Sequence, residues 1–292
     1  MALGNFDGLH LGHHAVLQEM LRAAKDRAVP AAVMTFEPHP RRLFRPELPP
    51  LRILPLAEKL RRLEAMGVDF VIMQRFNHAF SRMTASNFIA DLLVKKLAVS
   101  GIVTGENFFF GHKRGGDKHY LAEQAAHFGF DYTALKSCEI LGDRCSSTRL
   151  RGALAGGDML TAQALLGRPY ALNGVIQKGD QRGRELGFPT ANLHPAPGLF
   201  HPAYGVYAVC LKAEGQAEDY PSVANFGIRP MYRLQRPILE THCIGASPDL
   251  YGRKVTVSFH HYLRGEKKFD SVEALIAQMH RDREAALEKL GG

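Results

Sequence analysis

Gly4-Asn5-Phe6-Asp7-Gly8-Leu9-His10-Leu11-Gly12-His13 sets two glycine-bearing turns and two histidines ahead of an apolar series, Val16, Leu17, Met20, Leu21 and Ala24. That spacing is one face of a helix and predicts a helix starting near His13. The first amides of a helix have no intrahelical partner and lie at the positive end of its macrodipole, so an anion is stabilised there. Gly12 lets the backbone approach that anion. His10 and His13, three residues apart, share one side of the turn and can donate hydrogen bonds to phosphate oxygens. Nothing in the stretch resembles a covalent nucleophile, so the chemistry it suits is electrostatic stabilisation of a phosphorus transition state, with His10 and His13 as candidate catalytic groups. Gly4, Asn5, Phe6, Asp7, Gly8 and Gly12 are the candidate nucleotide-binding positions around them. Paired histidines also occur as metal ligands or surface residues, and it is the preceding Gly-Asn-Phe-Asp-Gly that favours a nucleotide site.

Outward from this motif, residues 31–36, 70–76, 101–104 and 132–135 read as buried strands, separated by helical stretches at 56–66, 86–97 and 120–128. Such alternation implies right-handed crossovers and a parallel sheet covered on both faces. Ligands on that architecture gather at the carboxyl ends of the strands, where the opening motif falls. Near residue 172 the pattern changes to β-rich runs at 206–211, 222–224, 238–244 and 255–262, separated by Gly and Pro turns. That predicts an antiparallel barrel or sandwich. From Asp270 an amphipathic helix carrying Leu275, Met279, Ala286, Leu287 and Leu290 closes the chain, and Asp270 with Glu273 fits a capping box. The expected fold class is therefore α/β followed by mainly β, with domains at 1–155 and 171–292 and a linker helix region at 156–170.

A length of 292 residues favours two domains, and 46% hydrophobic with 23% charged residues describes a globular protein. The formal charge of +8 favours anionic partners. Basic residues are scattered without interleaved aromatics, which argues for phosphorylated small molecules over nucleic acid. Cys138, Cys145, Cys210 and Cys243 form no Cys-x-x-Cys pair, so neither zinc nor a disulfide framework is expected. With no signal peptide and no run of membrane-spanning length, no membrane partner is expected and the expected compartment is the cytoplasm.

Three further stretches carry chemistry. Gly105-Glu106-Asn107-Phe108-Phe109-Phe110-Gly111, followed by His112 to Asp117, puts an amide, aromatics and cations in one loop at the ligand edge, with Asn107 as the polar reader of a flat, phosphorylated partner. Ser146-Ser147-Thr148-Arg149-Leu150-Arg151 opens a helix; its hydroxyls, amides and Arg151 make a helix cap that also cradles phosphate. Gly179-Asp180-Gln181-Arg182-Gly183-Arg184-Glu185-Leu186-Gly187-Phe188-Pro189-Thr190-Ala191-Asn192 combines a glycine-rich turn, able to fold over phosphates, with a Thr hydroxyl and an Asn carbonyl that can both approach Mg²⁺. Glu240, a carboxylate within a strand, is suited to orient an alcohol and accept its proton during phosphoryl transfer.

The opening motif resembles the His-x-Gly-His element of nucleotidyltransferases, most closely that of bacterial FAD synthetases, and Ser147, Thr148 and Arg151 match that family's Ser-Ser-Thr-x-x-Arg element. Gly-Phe-Pro-Thr-Ala-Asn resembles the motif of riboflavin kinases, as does Leu239-Glu240-Thr241-His242 upstream of Asp249-Leu250-Tyr251-Gly252. The chain is thus similar over nearly its whole length to bacterial bifunctional riboflavin kinases/FMN adenylyltransferases. The resemblance implies a Rossmann-like nucleotidyltransferase sheet followed by a riboflavin-kinase-like barrel, with ATP as co-substrate, riboflavin, FMN and FAD as the small-molecule partners, and Mg²⁺ as cofactor. It implies that Ser147, Thr148 and Arg151 grip ATP, that Gly179, Arg184 and Gly187 belong to the kinase phosphate loop, that Thr190 and Asn192 serve ATP and the metal, and that Glu240 is catalytic. Another nucleotidyltransferase leaves the second motif without a role, a nucleic-acid-binding barrel conflicts with the scattered charge, and an aminoacyl-tRNA synthetase relative lacks a Lys-Met-Ser-Lys-Ser segment. Only Met1-Ala2-Leu3 precede Gly4, where the family has a longer apolar strand, so the sheet is expected to be weakest there.

Overall fold

A computed structural model describes residues 1–179, 183, 186–228 and 236–291, and the chain divides into two compact units, Met1–Ser147 and Thr148–Gly292. The first unit holds β1 (Ala2–Leu3), β2 (Ala32–Glu37), β3 (Phe70–Arg75), β4 (Gly101–Gly105) and β5 (Asp131–Leu135) in one sheet of order β3-β2-β1-β4-β5. All pairs are parallel. Helices Leu11–Asp26, Leu56–Ala65 and Lys118–Phe128 and the π-helix Phe88–Lys96 form the crossovers. Alternation along the strands divides the core between two faces. Ala2, Val33 and Val103 turn to the side where Leu17, Met20 and Leu63 pack. Leu3, Met34 and Ile102 turn to the side of Ile89, Leu93 and Leu121.

β1 contributes only Ala2 and Leu3, yet it is the central strand, pairing with Val33 and Met34 on one side and Val103 on the other. Both its side chains are buried, at 0% and 2% exposure, so the sheet runs through its shortest strand without a gap. The first helix starts at Leu11, two residues ahead of the sequence expectation, because His10 caps it: the His10 Nδ1 accepts from the His13 amide at 3.3 Å. A short hairpin, β6 (Glu139–Ile140) and β7 (Asp143–Arg144), leads to the helix Ser147–Ala155.

In the second unit β8 (Tyr170–Val175), β9 (Ala191–Leu193), β10 (Gly205–Ala213), β11 (Asp219–Ile228), β12 (Pro237–Cys243) and β13 (Lys254–Arg264) form an antiparallel sheet of order β8-β13-β10-β11-β12-β9. A lone bridge from Gln177 to Asn192 joins its two edges, so the sheet curls into a barrel. Tyr207, Phe226 and Phe259, each at 0% exposure, fill the interior. The closing helix, Val272–Gly291, is capped by the Ser271 hydroxyl, which accepts from the Ala274 amide at 3.2 Å; the cap is therefore Ser271 and not the expected Asp270. Arg264 at the end of β13 grips this helix through a partly buried forked ion pair to Asp282, with nitrogen–oxygen distances of 2.6 to 3.1 Å. Among the described residues no helix is long and apolar enough to cross a membrane.

Candidate functional site

In the first unit the Gly4–Gly8 turn leaves the carboxyl end of β1 and bends sharply, with Phe6, Gly8 and Leu9 at φ of 48°, 83° and 45°. Phe6 and Leu9 adopt this unfavourable left-handed backbone because their side chains are wholly buried, at 2% and 0% exposure, which anchors the turn from below. The turn delivers the chain to the helix N-terminus, where the His10 and His13 rings stack at 3.6 Å. His10 is 5% exposed and uses Nδ1 as the cap acceptor, which leaves Nε2 as the nitrogen able to donate. Gly12 lies against the His10 ring: a Cβ there would meet Cε1 and Nδ1 at 3.2 Å. Asp7 is buried, with Oδ1 accepting from the Ile53 amide at 2.9 Å, while its backbone carbonyl accepts from the Ser147 hydroxyl at 2.9 Å. Ser147 is thereby joined to the opening motif. Thr148 and Arg151 continue the helix that Ser147 begins and fall in the second compact unit.

Gly4, Asn5 and Asn107 meet in a cleft of about 500 Å³. Asn107 is the amide of the aromatic loop on its wall. Turned so that its oxygen faces Arg144, its amide accepts from both terminal guanidinium nitrogens at 2.9 and 3.1 Å and from the Ser137 hydroxyl at 3.2 Å, an orientation set by the network. The loop is held by Glu106, whose carboxylate accepts from the Ser137 amide at 2.9 Å, a hydrogen bond that holds its pKa below the usual range. Phe36, Phe44, Phe76, Phe80 and Phe109 wall the cleft, Arg41, Lys113 and Arg114 supply its cations, and His39 lies beside them. Phe44 and Phe109 remain 63% and 45% exposed, so apolar ring faces stand open to an incoming flat group. Arg114 already stacks on Phe109 at 4.2 Å.

In the second unit the ladder sets the geometry. Glu240 on β12 stands opposite Asn192 on β9 and opposite Asn225 on β11, so one register row carries a carboxylate between two amides. Asn192 is 4% exposed and its side-chain oxygen is buried with no hydrogen-bond partner, an oxygen donor held ready. Gly179 packs against the Asn192 amide so closely that a Cβ would overlap it. Gly187 turns at φ 80°, and Arg184 lies outside the described residues. The Thr190 side of this row opens on two cavities. One, of about 360 Å³, is lined by Glu240, Asn225, His242, Phe269 and Met279, with the closing helix as its far wall. The other, of about 370 Å³, is lined by Thr241, Asp249 and Tyr251. Thr190 belongs to both. His242, two residues along the same face as Glu240, donates from Nδ1 to the Pro189 carbonyl at 2.9 Å and packs against Phe188, fixing the approach to Thr190 just where the β9 ladder ends.

Among the described residues no group of three or more His, Cys, Asp or Glu side chains could hold a metal by itself. The available donors, the Asn192 oxygen and the Thr190 hydroxyl, are neutral oxygens. Such a set fits Mg²⁺ when phosphate oxygens complete the shell.

Sequence reasoning passed over Phe36, Phe44, Phe76 and Phe80 of the aromatic wall, and Arg144. Phe36 and Phe76 had a signal, since both end predicted parallel strands, where ligands bind. Arg144 had none, because hairpin closure brings it in.

The FAD synthetase family matches residues 1–149 and the riboflavin kinase family residues 166–290. A bifunctional riboflavin kinase/FMN adenylyltransferase of Escherichia coli (strain K12) is 42% identical over 291 residues, covering 100% of this chain and 92% of the relative. One from Bacillus subtilis (strain 168), of the same name, is 33% identical over 297 residues, covering 98% of this chain and 91% of the relative. A solved structure called a macrolide-efflux protein, from Streptococcus pneumoniae, superposes with a TM-score of 0.87 at 31% identity, covering 98% of this chain and 92% of its own.

Proposed function

The chain belongs to the family of bifunctional riboflavin kinases/FMN adenylyltransferases, and from that premise we propose a two-step synthesis of FAD with one step assigned to each unit. Riboflavin is phosphorylated by ATP to FMN, and FMN is adenylylated by a second ATP to FAD with release of pyrophosphate. Adenylyl transfer is assigned to residues 1–155, the kinase to 171–292, and 156–170, with the helix Met159–Leu166, to the connection.

One observation supports this reading above the others: within each unit, residues of that unit's motif converge on a cleft, of about 500 Å³ in the first and about 360 Å³ in the second. In the kinase step Glu240 orients the riboflavin 5′-hydroxyl and accepts its proton as the oxygen attacks the γ-phosphorus and ADP leaves. Asn192 and Thr190 hold the nucleotide from the barrel edge, beside the cavity under Asp249 and Tyr251. In the adenylyl step a phosphate oxygen of FMN attacks the α-phosphorus. His10 and His13, at the helix N-terminus, stabilise the charge that builds on the phosphate oxygens, and the Phe36, Phe44 and Phe109 rings take the flavin. Mg²⁺ bound with ATP neutralises phosphate charge in both steps. The compartment proposed for this synthesis is the cytoplasm.

The test is direct. Purified protein with riboflavin, ATP and Mg²⁺, its products separated by chromatography, gives FMN first and FAD after it. Omission of Mg²⁺ stops both. Protein that yields neither product overturns the reading.

A further inference from the structure

Lys59 belongs to no motif, and neither step above uses it. It sits on the inner face of the helix Leu56–Ala65, one turn before Leu63, and is 7% exposed. Its ammonium donates to the Asn5 carbonyl at 3.2 Å and to the Thr35 hydroxyl at 3.1 Å, and that hydroxyl donates to the same carbonyl at 3.1 Å. Two donors thus fix one backbone oxygen in the middle of the opening turn. The Asn5 side-chain oxygen is buried and without a hydrogen-bond partner, and Asn5 lines the aromatic cleft, so fixing this backbone fixes a polar residue of the cleft wall.

An ammonium is costly to bury unless opposite charge faces it. The charged groups around Lys59 are Asp7 in the turn, Glu37 at the end of β2, and Arg52, which pairs with Glu37. Asp7 is itself 7% exposed. A buried carboxylate in a turn that must accept phosphate raises an electrostatic conflict, because like charges in a poorly solvated site repel. A cation beneath the turn removes it.

We propose that Lys59 is a positioning residue for adenylyl transfer: its ammonium holds the Asn5 carbonyl that shapes the turn and offsets the Asp7 charge, so that the turn can receive a phosphate. The inference rests on the adenylyltransferase reading of the first unit.

Lys59→Met in the full chain, assayed for FAD formation from FMN, ATP and Mg²⁺, is expected to lose about tenfold or more in kcat, while the FMN KM changes by less than about threefold. A loss of folded protein would also lower the apparent kcat at constant KM, so the alkaline limb is the readout that separates a positioning role from a structural one. Burial pushes the Lys59 ammonium below the ordinary lysine range, against the pull of Asp7 and Glu37. The wild-type rate should therefore fall on the alkaline side as Lys59 gives up its proton. Lys59→Arg keeps its charge there; it should restore most of the activity and carry the alkaline limb to higher pH. A Lys59→Met kcat within about twofold of wild type, or an Arg variant whose alkaline limb superposes on the wild-type limb, overturns the proposal. Should Lys59→Met lack a cooperative thermal transition, the Arg variant decides alone. His13→Ala, run in parallel, separates the two failures: if it retains FAD formation, the reading of the first unit falls, whereas if it abolishes FAD formation and Lys59→Met does not, only the Lys59 inference falls.

Discussion

The two units answer a similar demand, a phosphate chain beside a flat ring, by opposite structural means. In the first, the polar groups proposed for the site come from consecutive residues of one strained turn and the helix start that follows, Asn5 to His13. In the second they come from different strands brought abreast by the ladder, Asn192, Glu240 and Asn225. A turn depends on what is packed beneath it, here Phe6, Thr35 and Lys59. A register row depends on pairing, and a slip of one residue would send Glu240 to the other face of the sheet.

Separate substitutions test whether this contrast is also a division of labour. The largest effect is expected from Glu240→Gln, which removes the proton acceptor and should lower FMN formation from riboflavin by about 10³-fold, while FAD formation from supplied FMN persists. His13→Ala should do the reverse, lowering FAD formation by about 10²-fold with FMN formation intact. If either variant, still folded, lowered both activities alike, the division would be broken. Asp282→Asn leaves the partly buried Arg264 without its carboxylate and should cost the second unit about 2 kcal/mol, read as a lower thermal midpoint with FAD formation from FMN retained at moderate temperature. The smallest effect is expected at His242: replacement by Ala removes the donor to the Pro189 carbonyl and should raise the kinase KM for ATP by roughly tenfold or less, whereas His242→Asn, which keeps a donor near the Nδ1 position, should restore most of it.

What could be read in the sequence follows the same contrast. The turn-and-helix site was legible because its residues are neighbours in the chain, and the alternation of helix and strand placed it at a sheet edge. Even so, the helix began two residues early, since a histidine cap does not announce itself as Ser or Asp does. The kinase row was legible as motifs but not as an arrangement: nothing in the order of residues says that Asn225 and Asn192 flank Glu240. Lys59 was hidden because a charged residue within an amphipathic helix reads as its solvated face, and only packing shows that it points inward. Nor does the order of residues show that a strand as short as Ala2–Leu3 takes the central place in the sheet, paired on both sides.

The sheet order of the second unit has a consequence in time. Its earliest strands, β8 and β9, lie at opposite edges, and residues 170–175 of β8 find their partners only at 254–259 of β13. A chain emerging from the ribosome can complete the parallel sheet of the first unit while β8 is still an open edge awaiting a strand not yet made. That long-range closure makes the barrel the slower unit to fold and makes β8 the stretch most exposed to wrong pairing during synthesis. Newly made chains should therefore become competent for adenylyl transfer before they can phosphorylate riboflavin.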